Sequence, residues 1–255
     1  LITEYHEKKL VEYLEPGLSV LIRFGHGWGD TLMFMPIFWR LQDLYAEVKF
    51  DLYLECGQEC VFDSFPDKEG PDHDYVFHLD FPMSEGSGLT KAQKCCIDEL
   101  GIEPLSEIAP LPKVESPIVS VHFQGTALPN SVNCPEETAR QIWQEILDAG
   151  KIPIEAHFRH TFHNPVNTRY GFVDRHVRYC HANLDNLIGL IQSSFAFVGI
   201  ASGPFVTALS IMPGRTFYLE RNHAATDYVK HLDIRSAHVD SYEDGTVKEW
   251  LTSLS

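Results

Sequence analysis

Basic charge is what this sequence has least of. Twenty Lys and Arg stand against 36 Asp and Glu, a formal net charge of -16 over 255 residues, and nowhere do the cations form a run. The average surface therefore repels phosphate backbones, and a nucleic-acid partner would need a local basic groove that the sequence does not display. Long apolar runs are missing too: no stretch approaches the roughly 18 to 20 uncharged residues of a membrane span. The first residues, Leu1 to Glu15, lack the charged-then-apolar order of a secretion signal. No repeat of solenoid period and no low-complexity tract occurs. Six cysteines (Cys56, Cys60, Cys95, Cys96, Cys134 and Cys180) are scattered, and a chain that is 44% hydrophobic has core enough to fold without staples. The expectation is a cytoplasmic protein with reduced thiols and no membrane span.

What is present is alternation. Leu10, Val11 and Leu14 lie at helical spacing in a charged segment, Glu4 to Glu15, that Pro16-Gly17 ends. LSVLIRF (18–24) has the near-continuous apolar character of a buried parallel strand. The turn GHGWGD (25–30) follows, then an apolar helical face from Thr31 to Tyr45 in which Pro36 is expected to kink the helix or start its regular part. VKFDLYL (48–54) and DYVFHLD (74–80) read as strands, Glu59 to Phe65 as a short helix, and Lys91 to Leu100 as a helix stopped by Gly101. Strand, turn and helix thus repeat, which argues for a parallel sheet with helices on its faces.

EPLSEIAPLPKVESP (103–117) holds four prolines and no periodicity, as a linker does. Beyond it the alternation resumes: strand PIVSVHF (117–123), helix Pro135 to Ala149 ended by Gly150, and strand KIPIEAHF (151–158). Residues 159–179 are polar and aperiodic. Helix Leu184 to Ile191, with Asn183 as its cap, precedes strand FAFVGI (195–200), turn and helix SGPFVTALS (202–210), strand RTFYLE (215–220) and a final helix, Val247 to Leu254. The pattern predicts two Rossmann-like α/β domains, 1–112 and 113–255.

In open parallel sheets, ligands bind at the carboxyl ends of the strands, where helix N-termini present free N–H groups. Two turns fit, Gly25 to Asp30 and Gly199 to Pro204. The first is not a good dinucleotide fingerprint. Glycines at 25, 27 and 29 give G-x-G-x-G, and Trp28 and Asp30 stand where a pyrophosphate needs room and positive potential. Glu55 after the second strand nevertheless keeps an NAD-dependent oxidoreductase among the readings. A carboxylate at Asp30 has its anion favoured by the helix dipole, and beside a glycine turn it can act as a general base or simply cap the helix. His26 and Trp28 flank it, suited to stacking on or hydrogen bonding a sugar, or to packing the turn. Ser202-Gly203 is either an anion-binding helix start or an ordinary tight turn. His157, His160 and His163, with His176, Cys180 and His181, suggest zinc only if their segment is helical, which Pro165 opposes; no metal site is expected.

RFGHGWGDTLMFMPIFWRLQ (23–42) resembles the first signature of the heptosyltransferase-like glycosyltransferases, glycosyltransferase family 9, with its small-residue turn, Gly-Asp-Thr, apolar turn and Pro. FVGIASGPFVTALS (197–210) is similar to their second signature, and VSVHFQGTALPNSVNCPEETARQIWQEIL (119–147) to the first strand, loop and helix of their donor domain. The resemblance covers most of the chain and is closest around Gly29-Asp30-Thr31. It implies a GT-B fold, two Rossmann-like domains with parallel sheets facing a cleft, the acceptor on the first and a nucleoside-diphosphate sugar on the second; such a fold also allows the last helix to pack back on the first domain. By this resemblance Asp30 is the general base of an inverting sugar transfer that needs no metal. His26, Gly27, Trp28, Gly29 and Thr31 would face the acceptor, which is a glycan, a lipid-linked or another hydroxyl, a modified DNA base among them. Gln124, Gly125, Thr126, Arg159, Ser202, Gly203 and Pro204 would hold the donor. The class of sugar, hexosyl, heptosyl or pentosyl, is left open. Three positions depart from the family: Ala201 replaces its usual Asp, Val206 its frequent His, and the 124–134 loop holds no Lys or Arg. These departures motivate a rival reading, a non-catalytic nucleotide-sugar-binding module.

Overall fold

A computed structural model of the protein describes residues 8–25, 28–54, 73–79, 91–104, 115–125, 133–158, 169–179, 184–221 and 234–254. By its contacts the chain divides into two compact units, Leu1–Glu107 and Ile108–Ser255.

In the first unit, β1 (Ser19–Phe24) lies between β2 (Lys49–Leu54) and β3 (Tyr75–Leu79), and both pairings are parallel. β1 alternates in burial rather than being covered evenly: Val20, Ile22 and Phe24 are buried, while Ser19, Leu21 and Arg23 are half-buried. The buried face meets Phe34, Phe38 and Leu41 of α1 (Trp28–Leu44) in one apolar cluster. α1 starts three residues earlier than the helical pattern predicts, so Gly29 and Asp30 belong to its first turn, and it runs continuously through Pro36. Toward the amino ends of these strands, His73 Nε2, just before β3, and Lys49 Nζ lie 2.7 and 3.1 Å from the carboxylate of Asp51 on β2. Burial acts to raise the Asp51 pKa, but these two partners outweigh it and hold the carboxyl below its ordinary value. The expected helix at 91–100 is a turn of α-helix, α2 (Lys91–Lys94), that widens into a π-helix, Cys95–Leu100. Gly101 ends it with a left-handed φ of 76°. Of the first expected helix, the described part is one 3-10 turn, Leu10–Tyr13; the short helix expected at 59–65 lies outside the described residues.

The second unit is a six-stranded parallel sheet: β4 (Ile118–His122), β5 (Ile152–Phe158), β6 (His176–Tyr179), β7 (Ala196–Ile200), β8 (Thr216–Glu220) and β9 (Ser236–His238). Their spatial order is β6-β5-β4-β7-β8-β9. Counted within the unit this is 3-2-1-4-5-6, the order of the doubly wound dinucleotide-binding fold. β6 and β9 were not evident in the sequence. Pro153 is tolerated inside β5 because Ile152 N–H bonds Pro117 on the β4 side and Glu155 N–H bonds Arg175 on the β6 side. The proline's missing donor therefore faces the β6 side before that pairing begins.

Helix α3 (Glu136–Asp148) and α6 (Thr246–Ser253) cover one face, burying Ile142, Trp143, Ile146, Val247, Trp250 and Leu251 with Val119, Val121, Val198 and Phe217 of the strands. The last helix thus packs on α3 of its own unit. Its seat is the buried carboxylate of Glu145, which accepts hydrogen bonds from the N–H groups of Gly245, Val247 and Lys248 at 2.9 to 3.2 Å and from the Tyr242 hydroxyl at 3.0 Å. An anion at a helix N-terminus meets both its unpaired donors and its positive dipole end. α4 (Asp185–Gln192) is capped by Leu184, without a side-chain bond, in place of the expected Asn183, which is not among the described residues. α5 (Gly203–Ile211) follows β7 directly. Between β5 and β6 the described chain crosses not as a helix but as residues 169–175, whose Tyr170 and Phe172 stack on each other and pack against α3, Phe172 edge-on to Trp143.

Candidate functional site

In the first unit the turn after β1 is fixed from below. Phe24, the last residue of β1, stacks on Phe34 of α1 with ring centroids 4.8 Å apart, and Thr31 is fully buried. Asp30 is the third residue of α1, half-buried at the helix N-terminus and the carboxyl end of the central strand. Trp28 and Gly29 open the same turn of helix. His26 and Gly27, expected beside them, lie outside the described residues, as does Glu55.

In the second unit, the strand order reverses between β4 and β7, and at such a switch point the crevice above the carboxyl ends takes the ligand. Register places the expected residues there. His122 pairs with Gly199, and Ile200 with Leu219. Gly125, Ser202 and Arg221 each follow, by one to three residues, the carboxyl end of one of the three adjacent strands β4, β7 and β8. Ser202 caps α5: its backbone is extended, its Oγ accepts from Phe205 N–H at 3.4 Å and donates to the Ile200 carbonyl at 3.0 Å. Pro204 contributes no N–H, so the helix start offers a ligand chiefly the Gly203 amide. Gly199 is needed beneath it. A Cβ there would stand 2.7 Å from the Phe197 ring and 3.1 Å from the His122 carbonyl.

On the β4 side, Gly125 N–H donates to Asn133 Oδ1 at 2.8 Å and Cys134 N–H to the Phe123 carbonyl at 2.9 Å, drawing the two ends of the 125–133 loop together. The Tyr170 hydroxyl donates to the Cys134 carbonyl and is approached by Gln124, whose Oε1 is buried without a partner. His122, 3% exposed at the end of β4, sits with Nδ1 2.8 Å from the Ala156 carbonyl. Burial pushes it from 6.5 down to about 4, so at neutral pH the ring is uncharged and Nδ1–H is the donor. Burial likewise pushes the Cys134 thiol up to about 12, which makes it inert.

Gln124 and Gly125 thus follow β4, and Ser202, Gly203 and Pro204 follow its neighbour β7, while Thr126 and Arg159 lie outside the described residues. Sequence reasoning missed Arg221. Its Nη1 donates to the Asn133 carbonyl at 2.6 Å, and its Nε lies 3.4 Å from Asp240 Oδ1. The signal that singled out Arg159, a cation just past a strand end, applies equally to Arg221 after RTFYLE. Among the described residues, no group of three or more His, Cys, Asp or Glu side chains is placed to hold a metal ion. His157 and His176 meet edge to face on neighbouring strands, with ring centroids 6.1 Å apart. His160, His163, Cys180 and His181 are not among the described residues. No described helix is long and apolar enough to cross a membrane.

Two parallel-sheet units, one with a reversal of strand order at its centre, define a Rossmann-like architecture. No protein-family model matches the sequence, and no curated protein matches it. Solved structures do. The chain is similar to the dodecameric iron-containing heptosyltransferase TibC in complex with ADP-D-β-D-heptose, with a TM-score of 0.63 at 13% identity over 90% of this chain and 65% of that one. It is similar to the E. coli heptosyltransferase WaaC with ADP-2-deoxy-2-fluoro heptose, at a TM-score of 0.56, 11% identity, and 93% and 100% coverage. A glycosyl transferase family 9 protein from Veillonella parvula gives a TM-score of 0.54 at 11% identity, over 93% and 95% of the two chains. The chain thus spans about two thirds of the length of TibC. The fold is that of the heptosyltransferase-like GT-B glycosyltransferases.

Proposed function

We propose that the protein is a glycosyltransferase that moves a sugar from a nucleoside-diphosphate sugar to an acceptor hydroxyl with inversion at the anomeric carbon. The observation that carries this reading is the switch point of a 3-2-1-4-5-6 sheet, with Gly125 after β4 and the Ser202-Gly203 helix start after the neighbouring β7. It is supported by a shared fold with proteins solved with ADP-heptose and its fluoro analogue. Asp30, on the first turn of α1 in the N-terminal unit, takes the acceptor proton as the hydroxyl attacks. The C-terminal unit stabilises the departing diphosphate with the Gly203 amide and the Ser202 hydroxyl, with no metal required. In this reading the N-terminal unit holds the acceptor through His26, Gly27, Trp28 and Gly29, whereas Thr31, expected among them, is fully buried and supports the turn from within; the donor loop includes Gln124 and Thr126, with Arg159 beyond β5.

The test is transfer from a panel of ADP-, GDP-, UDP- and dTDP-sugars, with donor binding measured alongside. Asp30→Ala is expected to lower transfer by about 10²- to 10⁴-fold while leaving donor affinity within a few-fold. Wild-type transfer rates in that variant would remove Asp30 from the role of base. Ala201 and the cation-free 124–134 loop favour one second reading, a nucleotide-sugar-binding module. Donor binding without turnover on any acceptor would establish it.

A further inference from the structure

A nucleoside diphosphate brings two or three negative charges, and a site for it in a chain of net charge -16 needs a local cation. The helix start at Ser202 offers less than most, because Pro204 removes one of its donors. The 124–134 loop carries no Lys or Arg. The other described cations of the unit are mostly far from the crevice. Lys151 and Arg215 lie at the amino end of the sheet, Lys151 over the Phe195 ring and Arg215 on the Ser194 and Phe195 carbonyls. Arg140 is paired on the α3 surface with Glu136. Arg169 lies against His176, on the far side of β5. Arg221 is different. It directly follows β8 at the carboxyl edge, one strand over from β7, which Ser202 follows. Its guanidinium reaches the Asn133 carbonyl, so it stands at the neck of the loop whose other end is Gly125. Asp240, half-exposed, flanks its Nε.

We propose that Arg221 is the cation that binds the diphosphate of the nucleotide ligand in the crevice between the Gly125 loop and the Ser202-Gly203 helix start. This rests on the nucleotide-sugar reading above. The planar guanidinium is suited to such a ligand, because its fork geometry matches phosphate oxygens. Asp240 then has two effects. It orients the guanidinium and competes with the phosphate for its charge.

The experiment is calorimetric titration of wild type and variants with ADP, GDP, UDP and dTDP, and with the nucleoside of whichever diphosphate binds. In Arg221→Gln the affinity for the diphosphate is expected to fall by about 10- to 100-fold, with the nucleoside changing less than about threefold. Arg221→Lys should recover part of the loss, because it restores charge without the fork. Asp240→Asn is expected to tighten diphosphate binding several-fold, and as a half-exposed substitution it serves where Arg221→Gln fails to fold. The proposal is overturned if Arg221→Gln binds the diphosphate within twofold of wild type. It is equally overturned if nucleoside and diphosphate lose alike, which marks a loop clamp alone, or if Asp240→Asn weakens diphosphate binding or leaves it unchanged. Wild-type protein that binds none of the four diphosphates fails the nucleotide-sugar reading itself, and Arg221's assignment with it.

Discussion

Replacing Glu155 by Gln should make the C-terminal unit more stable, and only at high pH. The Glu155 side chain is 2% exposed on β5, its Oε2 has no hydrogen-bond partner, and the nearest ring nitrogen, His157 Nδ1, is 3.9 Å away. Burial pushes the carboxyl from 4.5 up to about 7, with Arg169 pulling the other way. Between those two values the folded protein keeps a proton that the unfolded chain has released. The associated stability is therefore complete below pH 4.5 and is lost as pH rises through 7. At about 1.4 kcal/mol per pH unit the loss comes to about 3 kcal/mol. Gln has nearly the same shape and never ionises. Glu155→Gln is thus expected to exceed wild type by about 3 kcal/mol at pH 8 and to match it near pH 4.5. His157 and His122, both depressed by burial, destabilise the fold as pH falls below 6.5, but they do so in both proteins and cancel in the difference. Urea unfolding followed by Trp143 and Trp250, both in the core of this unit, reads the quantity once Trp28 and Trp39 are changed to Phe. A wild-type-to-variant difference that is the same at pH 5 and pH 8 would refute the reasoning.

Two further outcomes follow from packing. Glu145→Ala removes the acceptor shared by three backbone N–H groups and the Tyr242 hydroxyl at the start of α6, and should cost about 3–5 kcal/mol in chemical unfolding. Glu145→Gln should cost clearly less, and equal losses would mean that the charge and its hydrogen bonds are not what seats α6. Gly199→Ala drives a methyl against the Phe197 ring and the His122 carbonyl, with an expected cost of about 1–3 kcal/mol. A melting temperature unchanged from wild type would show that the strand yields without penalty.

The strands that make the two cores were legible because parallel strands buried between helices are apolar nearly throughout, as FAFVGI is in β7. β6 was not, because His176 and Arg178 alternate with Val177 and Tyr179 in only four residues, and the polar pair shares a face with Glu155 and His157. β9 is three residues at an edge, too short to carry a period. The start of α1 was placed late because Gly29 is a poor helix residue, and the tertiary stack of Phe24 on Phe34 overrides that preference. Ser202 and Gly125 could be proposed from local pattern, since each follows a recognisable strand. Arg221 could not be tied to them before the strand order was known, because its relation to Ser202 and Gly125 exists only across three strands drawn from distant parts of the chain.

That seam between β4 and β7 has a kinetic meaning. Ser120 on β4 donates to the Ala196 carbonyl on β7 across 76 residues of chain, whereas β4 and β5, or β7 and β8, pair through a single intervening connection. Each half of the sheet can collapse locally, but the pairing that joins them closes a long loop and is expected to come late in folding. The crevice exists only after that closure. On the proposed function, a nucleotide bound there would stabilise the joined sheet and neither half, so its presence during refolding would slow reopening of the seam more than it hastens its formation.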